Sequence, residues 1–337
     1  MSMLTEIHEQ PDMLARLLAA NERRLPELGL LARGVTHVVV AARGTSDNAA
    51  RYAQYIWGAR NGLTVGLTTP SLFGALDAPP SLEGALVVGI SQSGQSPDLI
   101  SVLGEARRQG CPTLAITNDA NSPLAEQASL IIDLCAGPER AVAATKTYTL
   151  ELAAVALCSL AFAQLSPRAL AGLPGLVDDV LDTSHYGLEA VSLLLDRDWC
   201  VVLARGFQLA SAFEWALKLQ ELTYLVAQPF SAAEFLHGPV AVVEPGVPVL
   251  IVATSGPTYH EMVTVAKDML SRGARVIALT DTDDTPAHTR LMTTTVAPWL
   301  SPIVAAPVLQ LFTHALACAR GLDPDQPRGL SKVTLTS

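Results

Sequence analysis

Apolar residues fall in two arrangements along the chain. One is short, continuous and β-branched: THVVVAA over Thr36–Ala42, LTVGLTT around Val65, ALVVGIS around Val87, PTLAIT around Leu114 and LIIDL around Ile131. The other has helical spacing. It covers an N-terminal arm over Pro11–Leu28, with Leu14, Leu17 and Leu18 on one face, then Ser96–Arg108, Thr145–Gln164 and Leu170–Asp196. Runs that are apolar at every position, separated by helical stretches, predict parallel strands buried on both faces.

The pattern then restarts. WCVVLARG from Trp199 parallels HVVVAARG from His37, VPVLIVATSG from Val247 parallels GALVVGISQSG from Gly84, and ARVIALTD from Ala274 parallels CPTLAITN from Cys111. The offsets are nearly constant: 162 positions from Arg43 to Arg205, 164 from Ser91 to Ser255 and 163 from Thr117 to Thr280. Three correspondences at one offset predict two tandem copies of one α/β unit, each a doubly wound, flavodoxin-like parallel sheet flanked by helices. The reading divides the chain into a helical arm (1–35), a first subdomain (36–165), a helical connection (166–190), a second subdomain (191–321) and a polar C-terminal tail (322–337).

Composition narrows the function classes. Half of the 337 residues are hydrophobic, which supplies a sizeable core, and the net charge of −10 with no basic stripe argues against nucleic acid as a partner. Five scattered cysteines without a CxxC pair read as reduced thiols with no metal-ligand spacing. The N-terminus has acidic residues early and no apolar signal core. The stretch between Arg290 and Arg320 lacks charged residues but carries Pro298, Pro302, Pro307, Gln310 and His314, which predicts a buried helix and not a membrane span. These features together predict a cytoplasmic protein without a membrane partner.

The loop after the third apolar run, SQSGQSPD, gathers Ser91, Gln92, Ser93 and Ser96 around Gly94. The loop after the first run, RGTSDN, offers Thr45 and Ser46. Loops at the carboxyl ends of parallel strands, each opening a helix with unpaired backbone N–H groups, form anion sites. Taken singly, either loop reads equally well as a Ser-rich helix cap. Two on the same sheet edge favour a phosphate cup. Neither matches a Walker loop or a GxGxxG fingerprint, so a nucleotide is not indicated. The second copy reads TSGPT at the matching position, so at most one copy carries the full hydroxyl set.

The densest polar stretch is Phe213–Gly246, opening inside a predicted helix over Phe207–Leu225. Glu214, Lys218 and Glu221 share one helical face. By spacing alone they form either an exposed ladder of ion pairs or a carboxylate beside a cation, poised for proton transfer. His237 lies in LHGP, which the pattern places just before a strand. The tail holds Lys332 among small and apolar residues, an amine able to attack a carbonyl if the tail folds back over a site.

The motifs RGTS, SQSGQSPD, AGPERAVAATKTYT (Ala136–Thr149), EWALKLQELTY, AAEFLHGP and DQPRGLSK together resemble the SIS (sugar isomerase) family, in particular the isomerase half of glutamine:fructose-6-phosphate amidotransferases and stand-alone SIS-type glucosamine-6-phosphate deaminases. The resemblance covers the chain from about residue 36 onward and implies two tandem SIS subdomains. It implies that Ser46, Ser91, Gln92, Ser93 and Ser96 hold the phosphate of a hexose or aminohexose 6-phosphate, and that Gly44, Thr45 and Val142 lie along the sugar. It further implies Glu221 as the base moving a proton between C1 and C2, Lys218 as its neighbouring lysine, His237 as a ring-opening histidine donated across a homodimer, and Lys332 as the amine that forms an imine with the keto sugar. No cofactor or metal is implied.

About 35 residues precede the first strand and Ser2 follows Met1, so no glutaminase domain with a terminal cysteine is expected. Gln220 also stands where the amidotransferases have a second lysine. Both departures turn the expectation towards deamination of glucosamine 6-phosphate to fructose 6-phosphate and ammonia. A fructosamine-6-phosphate deglycase, a galactosamine-6-phosphate deaminase/isomerase and an ammonia-dependent synthase share the same cup and shuttle. A sugar-phosphate sensor is the alternative of a different class, for which the arm is too short to hold a DNA-binding domain.

Overall fold

The computed structural model describes residues 2–183 and 188–332. The chain opens with three helices, α1 (Met3–His8), α2 (Gln10–Asn21) and α3 (Leu25–Leu31). The expected continuous helix over Pro11–Leu28 is interrupted. A 3-10 turn at Glu22–Arg24 ends α2, and α3 restarts with Pro26 in its first turn. Proline has no N–H to donate and its ring clashes with the preceding turn, so it opens a helix more readily than it continues one.

A first α/β alternation follows: β1 (His37–Ala41), α4 (Thr45–Asn61), β2 (Thr64–Leu67), β3 (Ala85–Ser91), α5 (Pro97–Arg108), β4 (Thr113–Thr117), α6 (Pro123–Glu126), β5 (Leu130–Asp133) and α7 (Lys146–Phe162). Two helices, α8 (Leu173–Thr183) and α9 (Leu188–Leu194), occupy the stretch expected as one helix over Leu170–Asp196; residues 184–187 lie outside the described residues. The second alternation comprises β6 (Trp199–Ala204), α10 (Leu209–Thr223), β7 (Val226–Ser231), α11 (Ala232–Leu236), β8 (Pro248–Ala253), α12 (Tyr259–Ser271), β9 (Arg275–Thr280), β10 (Thr289–Met292) and α13 (Ser301–Ala319).

Both sheets are five-stranded and parallel. The first has the order β2-β1-β3-β4-β5 and the second β10-β9-β8-β6-β7, which is the same winding read from the other edge. The internal repeat is thus a structural one. Side chains along one strand go alternately to two cores: Cys200, Val202 and Ala204 of β6 pack in one cluster, Val201 and Leu203 in another. Burial on both faces is why these strands read as unbroken apolar runs. The edge strands of the second sheet, β7 and β10, are not legible in that way. Residue Pro229 sits in β7 and Arg290 in β10, positions where a missing donor or a charge is tolerated.

The chain forms two compact units. One holds Glu9–Glu139, Lys146–Pro174 and the tail from Ser331; the other holds the segment up to His8, Arg140–Thr145 and Gly175–Leu330. Helix α13 is long and apolar enough to cross a membrane by length and composition, yet 78% of its apolar window is buried inside the protein. It is the buried helix expected between Arg290 and Arg320. Pro307 sits inside it, and Leu309 and Phe312 pack in the core of the second sheet.

Candidate active site

In the unit of the first sheet, the order β2-β1-β3 makes β1 and β3 neighbours at the point where the winding reverses. Ligands of doubly wound sheets bind at the carboxyl ends of such strands. Ala41 pairs with Gly89 in register, so the RGTS and SQSGQS loops leave the sheet side by side. Each loop runs into the first turn of a helix, α4 after Gly44 and α5 after Ser96. First-turn N–H groups lack intrahelical acceptors and carry the positive end of the helix dipole. This is the arrangement of an anion cup.

The loop conformation is fixed locally. Gly94 has φ +62°, and a Cβ there would lie 2.1 Å from Ser122 Oγ, so no side chain fits. The Gly94 N–H donates to Ser91 Oγ at 3.1 Å, and the Gln95 N–H donates to Ser93 Oγ at 3.3 Å. Asn118 N–H donates to the Gln92 carbonyl at 3.1 Å, which pins the loop to the end of β4. Ser91 is buried, while Gln92, Ser93 and Ser96 are partly exposed. Serine hydroxyls that accept from the loop's own backbone keep their protons available to an incoming anion.

Ser46 behaves differently. It is buried, and its Oγ donates to Glu151 Oε1 of α7 at 2.7 Å. The hydroxyl proton is committed there, so anything Ser46 offers an anion comes from the backbone and not from its hydroxyl. Gly44 is exposed and Thr45 half-buried at the mouth of the same loop. A tie that the motif reading missed joins the two loops: Arg43 Nε and Nη2 both lie 2.7 Å from Asp98 Oδ2. Arg43 is half exposed and Asp98 buried, so the pair holds the end of β1 against the first turn of α5 more than it adds stability.

The matching loop of the second copy, in the other unit, is filled from within. Asp281 Oδ1 accepts from the Ser255 N–H at 2.7 Å and from Ser255 Oγ at 3.1 Å. A carboxylate of the chain already occupies the donors that a phosphate would use. The physical asymmetry agrees with the glutamine lost from that loop.

On α10 of the second unit, Lys218 lies 2.5 Å from Glu221 Oε2 and 3.6 Å from Glu214 Oε1. Lys218 and Glu214 are buried at 1% and 0% exposure, while Glu221 is 22% exposed. The ladder is therefore not a solvated helix face: one carboxylate neutralises a buried cation and a second reaches towards solvent from the same lysine. Holding charges out of water is costly unless they are paired, and such arrangements concentrate at functional sites. Gln220 instead donates to the Ala227 carbonyl at 2.9 Å, on the edge strand β7.

Helix α10 ends at Tyr224, whose φ of +56° turns the chain into β7. The tail motif docks on this corner: the Arg328 N–H donates to Tyr224 Oη at 2.7 Å, and the Arg328 guanidinium sits 4.5 Å from the ring centroid. His237 is exposed as the C-cap of the short helix α11. A 3-10 turn over Pro239–Val242 follows, so the strand expected directly after LHGP begins only at Pro248.

Lys332 and the AGPER segment come together in the first unit. Lys332 Nζ donates to Glu139 Oε2 at 2.7 Å. Glu139 is buried and also accepts from the Thr147 N–H and hydroxyl at 3.0 and 2.9 Å. Glu139 lies inside a motif the sequence singles out, but a partner 193 residues away leaves no trace in local spacing. The tail beyond Lys332, residues 333–337, lies outside the described residues. Val142 is half-buried between the buried Ala141 and Ala143, in the second unit. Among the described residues no group of three or more His, Cys, Asp or Glu could hold a metal ion.

Comparison with known proteins agrees with this architecture. The SIS domain profile matches residues 32–161 and 193–317, and the chain belongs to the SIS domain family. Over 350 aligned residues it is 34% identical to the glutamine–fructose-6-phosphate aminotransferase [isomerizing] of Thermus thermophilus, covering 98% of this chain. It spans 58% of that relative's length. Among solved structures, a protein of Silicibacter pomeroyi provisionally named a phosphosugar isomerase superposes with a TM-score of 0.88 at 34% identity, covering 96% of this chain and 99% of that one. The C-terminal domain of the Francisella tularensis glucosamine-fructose-6-phosphate aminotransferase gives 0.86 at 26% identity, over 96% and 98% of the two chains. A glucosamine-6-phosphate deaminase from Thermotoga maritima, 21% identical with a TM-score of 0.81 over 99% of both chains, shares the fold. The expectation of an enzyme on a sugar-phosphate isomerase scaffold agrees with these relatives.

Proposed function

We propose that the protein is an aminosugar-phosphate deaminase/isomerase that converts glucosamine 6-phosphate and water to fructose 6-phosphate and ammonia. The observation that carries the reading is the buried Lys218 held 2.5 Å from the partly exposed Glu221. A fully buried lysine on a carboxylate open to solvent is an expensive arrangement for stability alone, and it suits a base that must take up and return a proton.

The loops Gly44–Ser46 and Ser91–Ser96 bind the 6-phosphate through backbone N–H groups and serine hydroxyls, and Val142 presents its backbone to the sugar. His237 opens the ring, moving the proton between O5 and O1. Glu221 takes the proton from C2 of the open-chain amino aldose and delivers one to C1, so the C2–N bond becomes an imine. Lys332 attacks C2, ammonia leaves, and water releases the ketose by cleaving the lysyl imine. Lys332 must first leave its ion pair with Glu139 and give up a proton, because only the neutral amine is a nucleophile. Every group in this sequence is a side chain or backbone amide of this chain, so the purified protein is sufficient to run it.

The protein acts as a homodimer in this reading, with His237 supplied to the partner's site. Exposure of His237 on the single chain supports that placement. The names of the relatives support the substrate class, since both aminotransferases are named for a fructose 6-phosphate and an amino group.

The test is ammonia and fructose 6-phosphate release from glucosamine 6-phosphate, with Glu221→Gln as control. Equal release of both products, lost in the variant, is the expected result. No release by the wild-type protein overturns the deaminase reading. A fructosamine 6-phosphate and galactosamine 6-phosphate, run beside it, then decide among the alternatives on the same scaffold.

A further inference from the structure

The N-terminal helix α1 carries one fully buried acidic residue, Glu6, and its carboxylate is not used by anything described above. It is spent on a single segment. The Arg140 N–H donates to Glu6 Oε1 at 2.5 Å, the Ala141 N–H donates to Oε2 at 3.2 Å, and Thr145 Oγ1 donates to Oε2 at 3.3 Å. These residues all belong to one compact unit. The segment between β5 and α7 has no regular structure at Arg140–Thr145, so it has no ladder of its own to fix its shape. Glu6 holds it from one side, and Gln310 of α13 donates to the Thr145 carbonyl at 2.9 Å.

The consequence is directional. Ala141, Ala143 and Thr145 face inward and are buried, whereas Val142 and Ala144 are partly exposed. Two adjacent N–H groups gripped by one carboxylate, with the hydroxyl of Thr145 sharing Oε2 with the Ala141 N–H, set which residues of the segment turn outward. Bonds to a carboxylate are stronger than neutral ones, and buried amides cannot fall back on water when the acceptor is lost. An acidic residue 134 positions upstream thereby fixes the backbone around Val142.

We infer that Glu6 is a positioning residue for substrate: it holds the Arg140–Thr145 segment in the shape that presents the Val142 backbone to the sugar. The inference rests on the proposed placement of Val142 along the sugar. It predicts that loosening the clamp weakens sugar binding without touching the proton-transfer step, since Glu6 contacts neither Lys218 nor Glu221.

Two variants test it, Glu6→Gln and the milder Thr145→Val, which removes only the hydroxyl contact. Hydrogen exchange read by mass spectrometry on the peptide spanning 138–147 should quicken by about tenfold in Glu6→Gln, and less in Thr145→Val, with the overall melting temperature lowered by no more than about a few degrees. KM for glucosamine 6-phosphate should rise by about tenfold while kcat stays within about twofold. A variant that melts normally and exchanges like wild type in this segment overturns the clamp. Faster exchange with unchanged KM overturns the role towards substrate. Should the wild-type protein turn over no amino sugar phosphate, the functional reading fails on its own, and exchange in 138–147 still decides the clamp.

Discussion

Lys218 Nζ bridges two carboxylates on one face of α10, lying 2.5 Å from Glu221 and 3.6 Å from Glu214. With Lys218 and Glu214 both buried, the lysine is as much a structural counter-ion as a partner of the proposed base, Glu221. Lys218→Met should therefore do two things at once. It should abolish turnover, and it should destabilise the protein by about 3–5 kcal/mol, because it leaves a buried carboxylate without this cation. Urea denaturation checks the second effect. A variant as stable as wild type would mean that Glu214 does not depend on this cation.

The proposed phosphate cup depends on a backbone position that only glycine can occupy. At Gly94 a methyl group meets both a positive φ of +62° and Ser122 Oγ at 2.1 Å. Gly94→Ala should weaken binding of inorganic phosphate by at least about tenfold in a calorimetric titration, since strain of about 1–3 kcal/mol must be relieved by moving the loop. Ser255→Ala, in the matching loop of the second copy, should leave the affinity unchanged, because Asp281 already fills that loop. Equal losses in the two variants would refute the asymmetry between the copies.

If His237 serves the partner's site, two inactive variants should repair each other. In the proposed dimer, co-expressed Glu221→Gln and His237→Ala chains would assemble into mixed dimers in which one site combines a wild-type Glu221 with a wild-type His237. Activity should return in the mixed dimer and be absent from each homodimer. A mixed dimer as inactive as its parents would place His237 in its own subunit's site.

The thiols titrate high. Burial, then the charge and hydrogen bond of Asp133, push the Cys135 thiol up to about 11. Burial raises Cys111, with Glu83 adding to it, and burial raises the fully enclosed Cys158 and Cys200. Even the exposed Cys318 is raised, by desolvation and then by Asp323 and Asp325. The thiolate is the reactive form, so a raised pKa means less of it at neutral pH. Alkylation by iodoacetamide should be slow at pH 7 and accelerate for Cys135 as the pH approaches 11. Rapid labelling of Cys135 at pH 7 would contradict this environment.

Much of this architecture was legible because it rests on local repetition. Leu86–Val88 of β3 are buried at every position, which erases alternation and leaves an unbroken apolar run, and the second copy repeats it in β8, where Val249–Ile251 are buried in the same way. The edge strands of the second sheet were hidden because β7 contains Gln228 and Pro229, and β10 contains Arg290. The arm's break at Glu22–Arg24 was marked by Pro26, which the helical spacing of Leu14, Leu17 and Leu18 overrode. For the site, the motifs located the loops but not their wiring. Spacing could not separate a solvated ladder from the buried Glu214–Lys218 pair. Nor could it show that Ser46 spends its proton on Glu151, that Asp98 answers Arg43, or that Glu139 and Glu6 hold partners more than a hundred residues away.

In the proposed reaction Glu221 moves hydrogen between C1 and C2 of an amino sugar 6-phosphate. The direct measurement is a proton NMR time course in D2O, following loss of the C2 hydrogen of glucosamine 6-phosphate as fructose 6-phosphate appears. The wild-type protein should remove that hydrogen once per turnover, and Glu221→Gln should do so at least about a hundredfold more slowly. A Glu221→Gln enzyme that removes the C2 hydrogen at the wild-type rate would contradict the account.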